Sequence, residues 1–347
     1  MKALRQHFVV ELDLRLAHQS LAVTRALKAL PLFPYNYRLR YDSRHTGLDF
    51  VFARYPGADR QLVNFLRALK QNSPKAFVII EFPDYPTEMP SASLPLHLRA
   101  WNNKTSKWEP RIAPFVDRFA TYSTHTEIHG VPTIRIENGI DVSTVPLAAV
   151  NPSTSGPVRL LAVGSMMPWH GFDRAIDGLA TYYRENGTRD IVLELVGDGP
   201  ELTRYRKLAT DQGLTARVQF SGRLLGAALD RAFDRADVAV ASLGLHRRGM
   251  SDVTTLKTRE YAARGLPIVT SIRLGALSTA CSDFIFDAPA NEEPLDVAGV
   301  LRFWDAIERR GALTAAQTLR AFAETKMDIS VTMAPIVAAI NEWTGEL

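Results

Sequence analysis

Across the second half of the chain, short apolar runs rich in β-branched residues alternate with longer stretches whose apolar positions recur three or four residues apart. The runs at 159–163, 191–196, 217–220, 238–241, 267–270 and 284–286 read as strands, and the stretches at 171–183, 200–212, 227–236 and 256–264 as helices between them. Strand and helix in regular alternation is the pattern of βα units laid on a parallel sheet. The first half carries a weaker version, with strands expected at 48–52, 76–81, 118–122 and 133–136 and helices at 60–70 and near 94–101. From 301 to 343 the pattern is almost wholly helical, and no internal repeat of fixed period is visible. A Pro/Ser/Thr/Gly segment at 151–157 reads as an interdomain linker.

The length of 347 residues suits two domains, each able to bury its own core. With 46% hydrophobic and 22% charged residues, extended disorder is excluded. The single cysteine, Cys281, excludes an internal disulfide and a four-cysteine zinc site and fits a reducing compartment. No segment approaches the roughly 18–20 apolar residues of a membrane span. The stretch from Phe8 to Leu16 is broken by Glu11, Asp13 and Arg15, so it does not read as a secretory signal. A cytoplasmic location is therefore expected. The net charge of +4 is unevenly spread: residues 1–150 hold 19 Lys/Arg against 13 Asp/Glu, the remainder 22 against 24. A basic first half suits peripheral contact with the anionic inner face of a membrane. Nucleic acid is not expected as a partner, because no run of five Lys/Arg and no recognisable nucleic-acid module is present.

Open α/β sheets bind ligands at the carboxyl ends of their strands, so the loops there are the places to look for chemistry. Val163-Gly164-Ser165-Met166-Met167-Pro168-Trp169-His170-Gly171 leaves a strand and enters a helix. Glycine lets backbone approach a phosphate, and the helix start offers N–H groups to it. The spacing is not G-x-G-x-x-G, which argues against a nicotinamide dinucleotide; alone, such a loop is more often a plain strand-to-helix turn. Gly197-Asp198-Gly199-Pro200-Glu201 forms a second tight turn. The third candidate runs from Gly249 through Asp252, Thr255, Leu256 and Lys257 to Glu260. At about 1.5 Å rise per residue, Glu260 lies roughly 7–8 Å along the helix from Thr255, the reach from a diphosphate to its ribose. A Lys257–Glu260 surface pair is the plain alternative.

Taken in order, VGSMMPWHGFDR, VGDGPE, VQFSGR, ADVAVASLGLHRRGMSD and LKTREYAARGLPIV resemble the nucleotide-binding half of the retaining family-4 glycosyltransferases of the GT-B fold. In look the nearest are those that assemble bacterial capsular and exopolysaccharides. FVFARYP, FVIIEFPDYP and IRIENGID upstream and CSDFIFDAP downstream extend the resemblance over 48–345. It implies two Rossmann-like α/β domains facing each other across a cleft: an acceptor-side domain at 1–150, a nucleotide-sugar domain at 151–330, and a C-terminal helix at 331–347 returning to the first. The chain opens close to the helix that normally follows the family's first strand and glycine loop, so the first βα unit looks short or missing.

The resemblance also implies roles. Asp252 and Glu260 match the family's carboxylate pair, with Glu260 on the ribose and Asp252 near the donor hexose and α-phosphate; glutamate is usual at the first position. The family carries an arginine and a lysine where this chain has Ser165 and His170, so diphosphate charge must come from Lys257, Arg247, Arg248 or Arg273, with His170 contributing if protonated. Gly164, Gly197, Gly199, Thr255 and Leu256 would line the nucleotide sugar, and the loop bearing Gly222, Arg223 and Leu224 would read the base. Arg54, Glu81 and Asp84 look like the acceptor side, although Pro83 and Pro86 also describe a merely stiffened loop. The implied reaction moves a hexose from a nucleotide diphosphate sugar to a saccharide or lipid-linked hydroxyl with retention, in cell-surface polysaccharide synthesis. The departing phosphate takes the acceptor proton. No cofactor is implied, and without any Asp-x-Asp no metal is expected. His125 and His129, four apart, have a zinc-like spacing on a helix, but no third ligand is evident. Ser165, His170 and Asp252 keep open a catalytically impaired, sugar-nucleotide-binding partner of another transferase.

Overall fold

The computed structural model describes residues 4, 8, 41, 46–82, 85, 103, 106–150, 156–249 and 255–345. They fall into two compact units, Met1–Glu137 with Thr332–Leu347, and Asn138–Val331. The expected helix near 94–101, most of the expected linker and the opening βα unit lie outside the described residues.

In the first unit, β1 (Phe50–Arg54), β2 (Phe77–Phe82), β3 (Arg118–Thr121) and β5 (Val131–Arg135) pair in parallel, with β4 (Glu127–Ile128) antiparallel at the edge, in the order β1-β2-β3-β5-β4. The near-continuous burial of Phe77, Val78, Ile79 and Ile80 is what a parallel strand covered on both faces requires. Helix α1 (Arg60–Asn72) starts where the Asp59 side chain accepts the Leu62 N–H at 2.9 Å and buries Leu62, Val63, Leu66 and Leu69. These pack on Val78, Ile80, Phe82 and Phe119. His125 and His129 do not share a helix face: β4 lies between them, and His129 turns the chain at a φ of 50° before Gly130. Two residues of strand are too few to leave a periodic signal.

The C-terminal helix (Ala334–Thr344) belongs to this unit. Trp343 stacks on Phe77 with centroids 4.8 Å apart, and its Nε1 donates to the Lys75 carbonyl at 3.1 Å. Half of the indole stays exposed, so Trp343→Ala is expected to cost about 1–2 kcal/mol. Hydrogen exchange of β2 amides measures this; unchanged protection would show the helix to be dispensable.

The second unit is a six-stranded parallel sheet ordered β11-β10-β9-β6-β7-β8. Its strands are β6 (Val158–Val163), β7 (Ile191–Val196), β8 (Val218–Gly222), β9 (Val238–Val240), β10 (Ile268–Thr270) and β11 (Ile285–Asp287). Alternate residues feed opposite faces. Leu160, Leu193 and Val240 join Phe172, Ile176, Tyr205 and Trp304 on one side, under α2 (Phe172–Arg184), α3 (Leu202–Asp211) and the later Val297–Arg310 helix. Leu161, Ala239 and Ile268 join Phe233, Tyr261 and Leu319 on the other, under α4 (Ala227–Asp234), α5 (Leu256–Ala263) and the Ala312–Phe322 helix.

The division between units falls at Glu137, ahead of the expected linker. Val142 and Ala148 are buried in the second unit's core, and Arg320 donates to the carbonyls of Val142, Val145 and Ala263. Among the described residues no helix is long and apolar enough to cross a membrane.

Candidate functional site

In the second unit β6 lies between β7 and β9: the chain builds outward from β6 through β7 and β8, then crosses back to lay β9, β10 and β11 on the other side of β6. Such a reversal opens a crevice at the carboxyl ends of the strands. Three neighbouring strands end there in glycine. Gly164 follows β6 and donates to the Val196 carbonyl at 2.9 Å; Gly197 follows β7 and donates at 2.7 Å to Gly222, which closes β8. The loops lie almost in backbone contact, since a Cβ on Gly197 would fall 1.8 Å from the Gly164 carbonyl oxygen and one on Gly199 1.8 Å from that of Ser165. Across the reversal, a Cβ on Gly171 would meet the Gly244 nitrogen at 2.5 Å, and Leu243 donates to the His170 carbonyl at 2.8 Å. Gly171, Gly197 and Gly199 are required by close approach, which their spacing alone did not reveal.

Lys257, in the first turn of α5, reaches into this cluster. A Cβ on Gly164 would lie 3.1 Å from its Nζ and 3.0 Å from the His170 ring, so the missing side chain keeps that corner open. The ammonium is buried 5.4 Å from the Phe172 ring centroid and has no hydrogen-bond partner among the described residues. Burial lowers the Lys257 pKa to about 7. Burial, with the nearby Lys257 charge, takes His170 down to about 3. His170 is thus neutral near physiological pH, its Nδ1 accepting the Met167 N–H at 3.4 Å, and supplies no positive charge.

Glu260, one turn further along α5, does not pair with Lys257. Its Oε1 accepts from both Nε and Nη2 of Arg264 at 3.1 Å, and Arg264 also holds Asp230 at 2.8 Å while lying over the Phe233 ring. These bonds use Oε1 alone, and the carboxylate stays partly exposed. Thr255 caps α5 through its hydroxyl, and Leu256 is exposed. Arg247 is committed elsewhere: its three nitrogens bind Asp173, Glu292 and the Pro168 carbonyl, so it braces the loop rather than offering an open cation. Arg248 lies over the Trp169 ring at 4.8 Å. Arg223 and Arg273 are exposed, and Leu224 packs on the core beneath α4. Asp252 lies outside the described residues.

In the first unit, Arg54 ends β1 exposed and is the register partner of Glu81, which accepts the Tyr122 hydroxyl at 2.8 Å. Asp84 lies outside the described residues. The Tyr55 hydroxyl donates to the buried Glu109 at 2.9 Å and accepts the Ala58 N–H, giving that motif a packing role. The Tyr85 ring meets His125 and His129 edge-on. Among the described residues no three potential ligands cluster around a metal position.

Two positioning residues escaped the sequence reading. Arg174, in the first turn of α2, is 2% exposed and donates to the carbonyls of Leu243, Pro289 and Glu293 and to the Asn291 side chain. Tyr261, fully buried, accepts the Val163 N–H at 2.9 Å and fixes the end of β6 from below. A charged residue within a helical apolar pattern was the available signal for the first; nothing marked the second.

Residues 157–292 match the family model described as Glycosyl transferases group 1. Among solved structures, a glycosyltransferase from Rickettsia africae aligns over 100% of this chain and 88% of its own, with a TM-score of 0.61 and 14% identity. HepE of Anabaena in complex with UDP-glucose aligns over 86% of this chain and 79% of its own, with a TM-score of 0.57 and 18% identity. Sucrose-phosphate synthase of Thermosynechococcus elongatus aligns over 86% and 74%, with a TM-score of 0.57 and 15% identity. No curated protein matches the sequence. Two parallel-sheet α/β units and these likenesses identify the GT-B fold.

Proposed function

We propose that the chain is a glycosyltransferase that moves a hexose from a nucleotide diphosphate sugar to a hydroxyl of a saccharide or lipid-linked saccharide, with retention, in cell-surface polysaccharide synthesis. The observation that carries this reading is the buried Lys257 ammonium, without a partner among the described residues, set against Gly164 where the strand order reverses. A group that must lose hydration without gaining a partner is built for an anion that arrives later. The family match over 157–292 and the UDP-glucose complex of HepE support a nucleotide sugar as that anion.

In this reading Lys257 and the open N–H groups at the start of α5 take the charge that develops on the diphosphate as the glycosidic bond breaks. Glu260 presents Oε2 to the ribose hydroxyls while Arg264 fixes its Oε1. Asp252 attends the donor hexose, and Arg54, Glu81 and Asp84 the acceptor. The leaving phosphate takes the acceptor proton, so no separate base is assigned, and the reaction needs no metal because the chain supplies the charge. The basic first half holds the protein to an anionic membrane face.

Release of nucleoside diphosphate from a panel of UDP- and GDP-sugars, with an acceptor extract, tests the reading. Glu260→Ala is expected to lower kcat/KM about 10- to 100-fold, the worth of a charged hydrogen bond to the ribose; full turnover by that variant would count against it. A second reading, an impaired sugar-nucleotide-binding partner of another transferase, is favoured by one observation: neither Ser165 nor the neutral His170 brings charge to the loop. Saturable binding with no transfer to any acceptor would decide for it.

A further inference from the structure

Lys257 enters a corner where no described residue receives its protons. Its Nζ finds no acceptor among the described residues, and its neighbours there are the Phe172 ring and the bare Cα of Gly164. Among the described residues, the charged and titratable groups around it are all otherwise occupied. His170, facing it from the loop after β6, is uncharged and turns Nδ1 to Met167. On α5 itself, Glu260 is held by Arg264, and the Tyr261 hydroxyl is bonded to the backbone of Val163 and Val240. Arg247 is held by Asp173 and Glu292, so no carboxylate of these elements neutralises the amine. An ammonium carries three donors, and burying it without acceptors favours the neutral amine. A diphosphate in the same corner brings both acceptors and negative charge, which favours the ammonium.

We propose that donor binding is coupled to uptake of a proton by Lys257, making affinity for the nucleotide diphosphate sugar fall as pH rises above neutrality. This rests on the reading of the loop cluster as a nucleotide-sugar site and adds a regulatory property to it. The direction follows from the two states. In the free protein, burial places the amine's pKa at about 7. In the complex the diphosphate raises it. Below the free-state value the ammonium is already present and binding takes up little; above it, each complex formed must gain a proton, until the bound-state value is passed.

Calorimetric titration of the whole chain with UDP-glucose and, separately, GDP-mannose reads this directly. Neither ligand carries a phosphate that titrates between pH 6 and 8.5. Repeating each titration in buffers of different ionisation enthalpy counts the protons. Uptake is expected to be about 0.9 proton per complex at pH 8 and about 0.1 at pH 6, with affinity falling up to about tenfold from pH 7.5 to 8.5. Lys257→Met should bind more weakly with no uptake at either pH. Lys257→Arg, charged throughout, should bind without the pH slope. Uptake that is the same at pH 6 and pH 8, or that survives in Lys257→Met, overturns the coupling while leaving the nucleotide-sugar reading intact. Failure of the wild-type chain to bind either ligand at any pH overturns that reading and the coupling with it. Should the Met variant not fold, the wild-type buffer dependence and the Arg variant still decide.

Discussion

Arg174→Met is expected to destabilise the second unit by about 3–5 kcal/mol, although the residue touches no substrate in the proposed reaction. The guanidinium sits 2% exposed in the first turn of α2 and satisfies the carbonyls of Leu243, Pro289 and Glu293 together with the Asn291 amide oxygen. Methionine fills much of the same volume, so the loss is mainly polar. Each net hydrogen bond to a charged group is worth about 1.5–3 kcal/mol, part of which returns as relaxation and as hydration of the exposed Pro289 and Glu293, whereas the buried Leu243 carbonyl is left without a partner. Leu243 also donates to His170, so the loop after β9 loosens against the loop after β6 and donor affinity falls along with stability. Hydrogen exchange of the β9 and β11 amides, with the exposed pair Arg302–Asp296 broken by Arg302→Met as comparison, measures the effect. The surface variant should change protection by less than about 1 kcal/mol. Equal effects of the two variants would show that the Arg174 bonds hold nothing together.

What the chain discloses in advance depends on whether a residue's role is local. The strands and helices of the second unit were legible because parallel strands covered on both faces need long apolar runs, and Ile191–Val196 and Val158–Val163 have them. β4, between His125 and His129, was invisible at two residues. The glycine loops were legible as turns, yet their closeness was not, because Gly164, Gly197 and Gly222 come together only through the pairing of β6, β7 and β8. The charges misled most. Arg247 and Lys257 both read as free cations near a phosphate, but Arg247 meets Asp173 and Glu292, brought from 74 and 45 residues away, while Lys257 finds no hydrogen-bond partner among the described residues. Partner choice over such separations is a property of the fold, and no spacing along the chain encodes it. Glu260 was legible as a helix-borne carboxylate, whereas its pairing with Arg264 rather than Lys257 depended on which of the two cations the core beneath α5 would draw in.

The second large effect is expected at Gly197, where alanine should abolish donor binding and lower stability by about 3–6 kcal/mol. The backbone there has a φ of +134°, in a region L-residues avoid, which accounts for about 1–3 kcal/mol. The added methyl would also lie 1.8 Å from the Gly164 carbonyl oxygen, an overlap relieved only by moving one loop off the other. Gly197 is anchored to Gly222 and Gly164 to Val196, so the yielding element is the β6–α2 loop, and it takes Gly164 away from Lys257 as it goes. Gly213→Ala supplies the contrast: its φ is +69°, but a methyl there meets nothing within 4 Å, so only the conformational cost of about 1 kcal/mol remains. Thermal unfolding of the two variants, with and without a saturating nucleotide sugar, separates strain from site damage. Gly213→Ala should melt slightly lower and keep the full ligand-induced shift; Gly197→Ala should melt far lower and lose it. Retention of the shift by Gly197→Ala would mean that the stacked glycine loops do not form the donor site.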